Sequence, residues 1–242
     1  MCARYKLAGD WQDFPVLRPA DFADRPDVRP THVMPVVRLV KGEWVVEMRR
    51  WGFARAWPGP SGRLVKHQLI NAKGEELEHK KSFRKPFATA RCLIPMSGWF
   101  EWPTVAGKKR ITAIERRDHR VFAVGGLVET APDPDSGEPV DAYTLITVGP
   151  NRQLASVHDR APFVVPPADY AAWLDGDLAQ AKALIGPYPE EDVFSIAPVA
   201  ADAGGTTSLA GASGAATGRK SATAKAAADT PDTGPGSNLS LW

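Results

Sequence analysis

The chain has 242 residues, of which 43% are hydrophobic, eight are tryptophans and two are cysteines, and its formal net charge is +2. This length gives one large domain or two small ones with a sizeable core, and so small a charge does not by itself indicate a nucleic-acid partner. Two distant cysteines exclude a disulfide framework, and the sequence has neither a bilayer-spanning apolar run nor the apolar region of a signal peptide. We therefore expect a cytoplasmic protein from a reducing compartment.

The chain opens with Met-Cys-Ala-Arg, so removal of Met1 would make Cys2 the N-terminal residue. An α-amine with a pKa of about 8 is roughly a quarter to two-fifths neutral at about pH 7.5, and a neutral amine attacks an aldehyde to give a Schiff base. The neighbouring thiol can then close onto the same carbon as a five-membered thiazolidine. Taken alone, Cys2 is better explained as a chance residue at a frayed terminus.

Strands dominate the pattern that follows. Segments rich in valine and aromatic residues predict strands at residues 31–40, 43–53, 91–102, 109–129 and 141–149. A Lys-Gly turn joins the first two segments as a hairpin, a Ser-Gly turn interrupts the third, and a polar turn divides the fourth into two strands.

Two helices are predicted after these strands. Residues 166–176 begin with proline and end at a glycine, and residues 177–186 end at a Gly-Pro pair. The result is a strand-dominated α+β domain over residues 1–199. Residues 200–237 are mostly Ala, Gly, Ser and Thr, so they cannot bury enough apolar surface to offset the entropy of ordering, and we expect a disordered linker.

Two polar residues beside apolar segments are candidates for chemistry. Asn71, in Leu-Ile-Asn-Ala-Lys-Gly-Glu-Glu, could orient the Cys2 amine or thiol, although a turn after a strand is the more frequent explanation of such a segment. Glu101 lies between Phe100 and Trp102, where aromatic neighbours tend to raise the pKa of a carboxyl and so suit it to acid–base catalysis. A strand residue that faces water explains Glu101 about equally well.

A third candidate is the run His158-Asp159-Arg160 before a proline-rich strand. His158 can exchange protons near neutral pH, and Arg160 can hold a phosphate by two hydrogen bonds. A local polar turn is the alternative. We expect no metal site and no cofactor, because Cys2, Cys92 and the five histidines have no short ligand spacing. Cys92 is expected in the core.

Taken together and in this order, these segments resemble the SOS-response-associated peptidase family, also called abasic-site processing or DNA–protein cross-link shield proteins. The matching segments are Met-Cys-Ala-Arg, Trp-Gly-Phe-Ala-Arg-Ala-Trp, Asn-Ala-Lys-Gly-Glu-Glu, Ser-Phe-Arg-Lys-Pro-Phe, Gly-Trp-Phe-Glu-Trp, Leu-Ile-Thr-Val-Gly and Val-His-Asp-Arg-Ala-Pro. They extend over the whole predicted domain. One such motif is weak, but an ordered set that starts from an N-terminal cysteine is specific.

The resemblance implies a mixed, barrel-like β core with a few peripheral helices. It also implies covalent capture of the ring-opened aldehyde of an abasic site in single-stranded DNA, in a cytoplasmic, nucleoid-associated setting. Cys2 would supply the amine and thiol, Asn71 would position them, and Glu101 and His158 would move protons. A cysteine peptidase that uses Cys2, and a single-stranded-DNA-binding module without covalent chemistry, are the alternatives.

The resemblance also implies a set of DNA contacts. The candidates are four cations, three tryptophans and one threonine: Arg4, Lys73, Arg84, Arg160, Trp51, Trp57, Trp102 and Thr147. The cations would bind phosphates, and the tryptophans would stack on bases or else belong to the core.

Three positions depart from the family pattern. Ala3 replaces a glycine beside the reactive end, His32 replaces an asparagine, and Lys73 replaces an arginine, so that a two-pronged phosphate contact becomes a point charge. The four catalytic candidates are retained, so these departures bear on DNA affinity and specificity more than on the chemistry.

The final five residues form an apolar cluster after the polar linker: Asn238, Leu239, Ser240, Leu241 and Trp242. They resemble the bacterial sliding-clamp-binding peptide Gln-Leu-Ser/Asp-Leu-Phe, and such a short apolar peptide on a tether suits docking to the replicative sliding clamp. A chance pentapeptide, or a terminus that folds back on the domain, explains the cluster equally well.

Overall fold

A computed structural model describes residues 2–199 apart from Asp10, Asp13, Leu17 and Ala20. The predicted linker and the final pentapeptide therefore lie outside the described residues. The strands are β1 (Tyr5–Leu7), β2 (Arg25–Val28), β3 (Val33–Val40), β4 (Glu43–Trp51), β5 (Phe53–Pro58), β6 (Leu64–Leu69), β7 (Asn71–Lys73), β8 (Arg91–Met96), β9 (Gly98–Glu101), β10 (Thr104–Val105), β11 (Lys108–Lys109), β12 (Thr112–Arg116), β13 (Phe122–Pro132), β14 (Pro139–Val148), β15 (Ala161–Pro162), β16 (Val164–Val165) and β17 (Phe194–Pro198). The helices are α1 (Lys81–Thr89), α2 (Tyr170–Asp175) and α3 (Leu178–Leu184).

The hairpin predicted around the Lys-Gly pair is confirmed. Lys41 and Gly42 have positive φ angles of 53° and 84°, the combination that a two-residue turn needs to match the twist of its strands. The turn fixes the register, in which Val40 lies opposite Glu43 and Val33 opposite Arg50. Val36 and Val37, which point to opposite faces of β3, are both completely buried.

Five strands close into a barrel. β3 pairs with β4, β4 runs parallel to β14, β14 pairs with β13, β13 with β8, and β8 returns to β3 through Val37 and Leu93. Both faces of β8 are buried, so its sequence is continuously apolar after Arg91 instead of alternating. The expected strand-dominated α+β fold with a barrel-like core and few helices is confirmed.

A second sheet carries the N-terminal segment. Its strand order is β17-β12-β9-β1-β2, so β1 and β9 lie side by side, with Tyr5 opposite Trp99. The Tyr5 and Tyr143 hydroxyls lie 2.8 Å apart in a buried hydrogen bond that joins β1 to β14 of the barrel. This bond fixes the start of the chain against the barrel wall.

Most of the other predicted elements are also confirmed. The segment 91–102 forms β8 and β9 with the break at Ser97, the segment 109–129 forms β12 and β13, and the two predicted helices are α2 and α3. Helix α1 was not predicted, because its apolar positions are sparse and it contains Pro86, a residue that usually ends helices. Among the described residues, no helix is both long enough and apolar enough to cross a membrane.

Candidate active site

Cys2 lies in the interior, at 1% exposure, immediately before β1. Its thiol points to the carbonyl oxygen of Arg4, with Sγ 3.7 Å from that oxygen. The Phe100 amide donates to the same oxygen at 3.0 Å, which holds this segment along β9. Burial is the main cause that raises the pKa of the Cys2 thiol well above its usual range. The negative charge of Glu101 is the second cause.

Asn71 is the first residue of β7 and lies opposite Leu145 of β14. Its carboxamide nitrogen donates a 2.7 Å hydrogen bond to the carbonyl oxygen of Cys2. The other carboxamide atom, Oδ1, is buried and accepts no hydrogen bond from any described residue. Because a buried oxygen without a donor is costly, Oδ1 is an acceptor that suits a bound group.

Glu101 ends β9 at 3% exposure, and His158 follows the 3₁₀ turn Leu154–Ser156. The Glu101 Oε2 and His158 Nε2 atoms lie 4.0 Å apart. Burial raises the pKa of the Glu101 carboxyl, and the positive charge that His158 can carry acts in the opposite direction. The pair thus places a carboxyl group that resists ionisation near an imidazole that can carry a proton, at a distance longer than a hydrogen bond.

The second nitrogen of His158 is held by its own loop. The Arg160 amide lies 2.9 Å from Nδ1 and donates to it, while Asp159 Oδ1 lies 2.7 Å from the same atom. These two contacts cannot form at the same time. The Arg160 amide donates only to an unprotonated Nδ1, whereas the Asp159 carboxylate accepts only from a protonated Nδ1. In neutral His158 with the amide bond, the proton is on Nε2, which faces Glu101. The Asp159 contact requires a proton on Nδ1, which is present in the other neutral tautomer and in the imidazolium.

The four candidate catalytic residues therefore converge from different parts of the chain. Cys2 precedes β1, Asn71 starts β7, Glu101 ends β9, and His158 lies in the loop before β15. Within the described ranges, no group of three or more His, Cys, Asp and Glu side chains is arranged to hold a metal ion. Cys92 is a fully buried free thiol whose carbonyl accepts from the Trp173 indole at 2.9 Å, as expected for a core residue.

Four of the expected DNA contacts reach the surface. Trp57 is 40% exposed and stacks on His67 with the ring centroids 4.3 Å apart. Arg84 is exposed on α1, Trp102 is half-buried just after Glu101, and Lys73 is half-exposed with its Nζ 3.6 Å from Glu76. These side chains are available to a ligand.

Of the other four expected contacts, two need correction. Trp51 is 0% exposed and its indole donates to the Ile70 carbonyl at 2.9 Å, so it is a core residue and does not stack on a base. Thr147 is also completely buried, which removes it from direct contact with DNA.

The remaining two are cations already held by carboxylates. Arg4 is buried, with Nε 2.5 Å from Asp27 Oδ1 and its guanidinium 4.8 Å from the Phe100 ring centroid. Arg160 holds Glu75 by two hydrogen bonds of 2.5 and 2.9 Å, and this pairing lowers the pKa of Glu75. A phosphate at either arginine would have to compete with that partner. No pattern in the sequence singled out Asp27.

Comparison with known proteins shows the family of this chain. The model of the family "SOS response associated peptidase (SRAP)" matches residues 1–205. The chain is similar to the abasic site processing protein YoqW of Bacillus subtilis (32% identity over 60% of this chain and 65% of YoqW) and to YMR114C of Saccharomyces cerevisiae, also named an abasic site processing protein (29% identity over 82% of this chain and 54% of YMR114C). The matched region thus spans less than two thirds of the length of these relatives.

The fold is also found in solved structures. A crystal structure of a Bordetella bronchiseptica protein superimposes with a TM-score of 0.68 at 22% identity, covering 83% of this chain and all of that one. A Bacteroides thetaiotaomicron protein gives a TM-score of 0.62 at 22% identity, over 72% of this chain and 78% of that one.

Proposed function

The chain belongs to the SOS response associated peptidase family, and from this we propose that it processes abasic sites in single-stranded DNA by covalent capture at Cys2. The observation that carries the proposal is the convergence of Asn71, Glu101 and His158 on Cys2, in a place where Cys2 and Glu101 are buried. Removal of Met1 would give Cys2 both of its reactive groups.

The proposed chemistry needs no external reactant. The neutral α-amine adds to the aldehyde carbon of the ring-opened sugar, and loss of one water gives the Schiff base. The thiol sulfur then adds to the same carbon: a C–S bond forms, the C=N double bond becomes a single bond, and the thiol proton passes by way of a nearby base to the nitrogen. The product is a thiazolidine, in which the aldehyde carbon is bonded to both nitrogen and sulfur, and the aldehyde that would promote strand scission is gone.

Each neighbour of Cys2 suits one part of this sequence. Asn71 holds the Cys2 carbonyl, and its unbonded Oδ1 is an acceptor for an amine hydrogen. Because burial raises the pKa of Glu101, this carboxyl keeps its proton to a higher pH and can donate it during ring opening. His158, 4.0 Å away, can return a proton to it.

DNA would approach across the exposed candidates. Lys73 and Arg84 would bind phosphates, and Trp57 and Trp102 would stack on bases. Arg160 can take a phosphate only in exchange for Glu75, whose carboxylate occupies its two-pronged face.

A cysteine peptidase at the same site is the second candidate. The proximity of an imidazole and a carboxyl to a cysteine favours it. The raised pKa of the Cys2 thiol disfavours it, because the thiolate is the nucleophile in that chemistry. The covalent mechanism starts instead from the amine and needs no preformed thiolate.

The test is a denaturing gel with the full chain, after mass spectrometry has shown that Met1 is absent. A labelled single-stranded oligonucleotide with one abasic site is the substrate, and intact DNA is the control. We expect a slow-migrating band that resists denaturation and is lost in Cys2→Ser, which keeps the amine but cannot form the thiazolidine. If no band forms, the proposal fails; turnover of peptides without DNA would then favour the peptidase, and plain binding of single strands would favour the non-covalent module.

We further propose that residues Asn238 to Trp242 bind the replicative sliding clamp and bring the protein to the nucleoid. The support is the sequence of this pentapeptide and its position after a long polar linker. A chain that ends at Ser237 should bind the clamp much more weakly than the full chain. Equal binding of the two would contradict the proposal.

A further inference from the structure

An apolar groove of about 540 Å³ opens beside the candidate active site. Its walls are mostly aliphatic side chains, namely Pro103, Val105, Ile111, Val157, Ile196 and Val199. We call it the β12 groove, because Thr112, the first residue of β12, also lines it. Val105 is 54% exposed, and an open apolar surface of this kind is typical of a binding site.

The register of the strands links this groove to Glu101. Thr112 lies opposite Glu101 of β9 and also opposite Pro198 of β17. Because directly opposed residues point to the same face of a sheet, these three side chains form one row on one face. Thr112 and Pro198 line the groove, and so does Val157, which directly precedes His158. The groove therefore borders both Glu101 and His158.

A hairpin rich in positive charge forms one border of the β12 groove. Strands β10 and β11 pair with Val105 opposite Lys108, and the two turn residues between them have φ angles of 48° and 75°. Two positive φ angles in succession give the tight turn that matches the twist of the strands. The Arg110 amide donates to the Pro103 carbonyl at 3.0 Å and closes the hairpin. Lys108, Lys109 and Arg110, all exposed, thus lie beside the groove.

These three cations have no acidic partner within the part of the chain that the structure describes. No aspartate or glutamate of that part lines the groove either. By contrast, Arg4, Lys73 and Arg160 are each paired with a carboxylate. The electrostatic potential of the groove is therefore positive, which favours a ligand that carries negative charge.

We propose that the β12 groove holds an unpaired base of single-stranded DNA next to the abasic nucleotide, while Lys108, Lys109 and Arg110 bind phosphates of the same strand. The inference rests on the proposed function, because it takes single-stranded DNA as the ligand of the site. The flat face of a base packs on aliphatic side chains, and the hydroxyls of Thr112 and Ser156 can bond to its edge. Positive side chains that follow the strand are typical of such sites.

Charge decides between this ligand and a protein segment. An apolar peptide would cover the walls of the groove equally well, but it would leave three adjacent cations without a counter-charge. A DNA strand supplies an apolar face and a phosphate at each nucleotide, so it matches both features at once. A base held in the groove also fixes the neighbouring abasic sugar next to Glu101 and His158, and positioning of this kind raises the rate of a reaction.

The first test measures the base. A short single strand carries a tetrahydrofuran analogue of the abasic site, which has no aldehyde and cannot be cross-linked, and the fluorescent base 2-aminopurine is its 5′ neighbour in one strand and its 3′ neighbour in another. With saturating full chain, we expect the fluorescence to rise in one of the two strands, because the base leaves its stack with other bases. Val105→Asn should reduce this rise. Val33→Asn is the matched control, because Val33 has the same 54% exposure and does not line the groove.

The second test measures the phosphate contacts. The affinity for the same strands is determined by fluorescence anisotropy over a range of salt concentrations. Lys108→Gln should flatten the plot of log affinity against log salt by about 0.7, the value for the loss of one phosphate contact on a single strand. Lys41→Gln should leave the slope unchanged, because Lys41 is an exposed lysine in the turn of another hairpin, β3–β4.

Three results would overturn the inference: unchanged fluorescence in both strands, equal responses to Val105→Asn and Val33→Asn, or an unchanged salt slope in Lys108→Gln. Full binding of the strand with none of the expected responses would point instead to a protein segment as the occupant.

Failure of the proposed function would look different. A chain that shows the groove responses but forms no adduct with a true abasic site would refute covalent capture and keep the groove. A chain that forms the adduct without these responses would refute the groove alone.

Discussion

The Asn71 carboxamide donates to the Cys2 carbonyl at 2.7 Å, and this bond connects the segment before β1 to the strand β7 beside the barrel. In Asn71→Ala the Cys2 backbone loses its lateral hydrogen bond. We expect the rate of adduct formation to fall about 10- to 100-fold, since small misplacements of reacting groups have effects of this size, and the free energy of unfolding to fall by about 0.5–1.5 kcal/mol. Adduct rates come from gel time courses and stability from urea unfolding.

Gln68→Ala is the matched control for Asn71→Ala. The Gln68 carboxamide donates to the Gly52 carbonyl at 2.8 Å and to the Trp51 carbonyl at 3.2 Å, and neither of these is a candidate catalytic residue. It should lose comparable stability and keep its adduct rate. Equal loss of rate in both variants would show that Asn71 acts only through general stability.

The raised pKa of Glu101 predicts a pH dependence of stability. In the folded chain burial keeps the proton on Glu101 to a higher pH than in the unfolded chain, where the pKa is about 4.3. The unfolded state thus binds fewer protons between the two pKa values, and Glu101 makes stability fall as pH rises through them. Glu101→Gln removes this effect. In urea unfolding, the free energy of unfolding of the variant should therefore rise relative to that of the unmodified chain as the pH increases from about 4.

Glu75→Gln should show the reverse trend. The Arg160 pairing lowers the pKa of Glu75 in the folded chain, so the stability from this pair is present above the unfolded pKa and is lost as pH falls through the folded one. The effect should be small because Glu75 is largely exposed.

A stability difference between Glu101→Gln and the unmodified chain that does not change with pH would contradict the assignment for Glu101.

Arg91 is a structural cation at the start of β8. Its guanidinium donates to the Trp173 carbonyl at 2.5 Å, to the Phe87 carbonyl at 3.0 Å and to the Gly176 carbonyl, so it joins α1 and α2 to the barrel. Lysine cannot reproduce this planar set of donors. We expect Arg91→Lys to lower the free energy of unfolding by about 2–4 kcal/mol.

The exposed Arg63 provides the comparison for this variant. Arg63→Lys should change stability by less than about 0.5 kcal/mol. If urea unfolding gives the two lysine variants the same midpoint, then the three carbonyl contacts of Arg91 do not stabilise the fold.

Gly98 allows β9 and β12 to approach closely. A Cβ at this position would lie 2.6 Å from the Ile114 carbonyl oxygen, a backbone atom that cannot move without displacing β12. Gly98→Ala should therefore lower stability by about 1–3 kcal/mol. Gly149→Ala should be tolerated, because a Cβ there meets no atom within 4 Å. Thermal unfolding of both variants checks this, and a stable Gly98→Ala chain would contradict the packing of the sheet.

Local signals in the sequence predicted the elements whose cause is local. The β3–β4 hairpin follows from a Lys-Gly turn between valine-rich strands, and the end of α3 at Leu184 follows from the Gly-Pro pair that comes after Ile185. Closure of the barrel depends instead on contacts such as Val37 with Leu93, far apart in sequence. Only the family resemblance predicted the barrel.

In the candidate site, too, the sequence predicts what depends on local motifs and does not predict what depends on contacts between distant segments. The motifs identified Cys2, Asn71, Glu101 and His158, because each is tied to a recognisable segment. Burial and pairing are not readable from those motifs, so the motifs leave Trp51 either a stacking or a core role and place Thr147 among the DNA contacts, although both residues lie in the core. A carboxylate that neutralises an arginine, as Asp27 does for Arg4, becomes visible only when the strands are brought together.

The order of strands in the sheet that holds Cys2 has a consequence for synthesis. β1 leaves the ribosome first, yet its neighbour β9 follows some ninety residues later and the sheet is completed only by β17 near residue 198. At about 5–20 residues per second, translation of this stretch takes roughly 10–40 s. Position 2 is buried once the domain has folded. The proposed function needs Cys2 as the first residue, and for that function we therefore expect Met1 to be removed from the nascent chain, before folding buries Cys2.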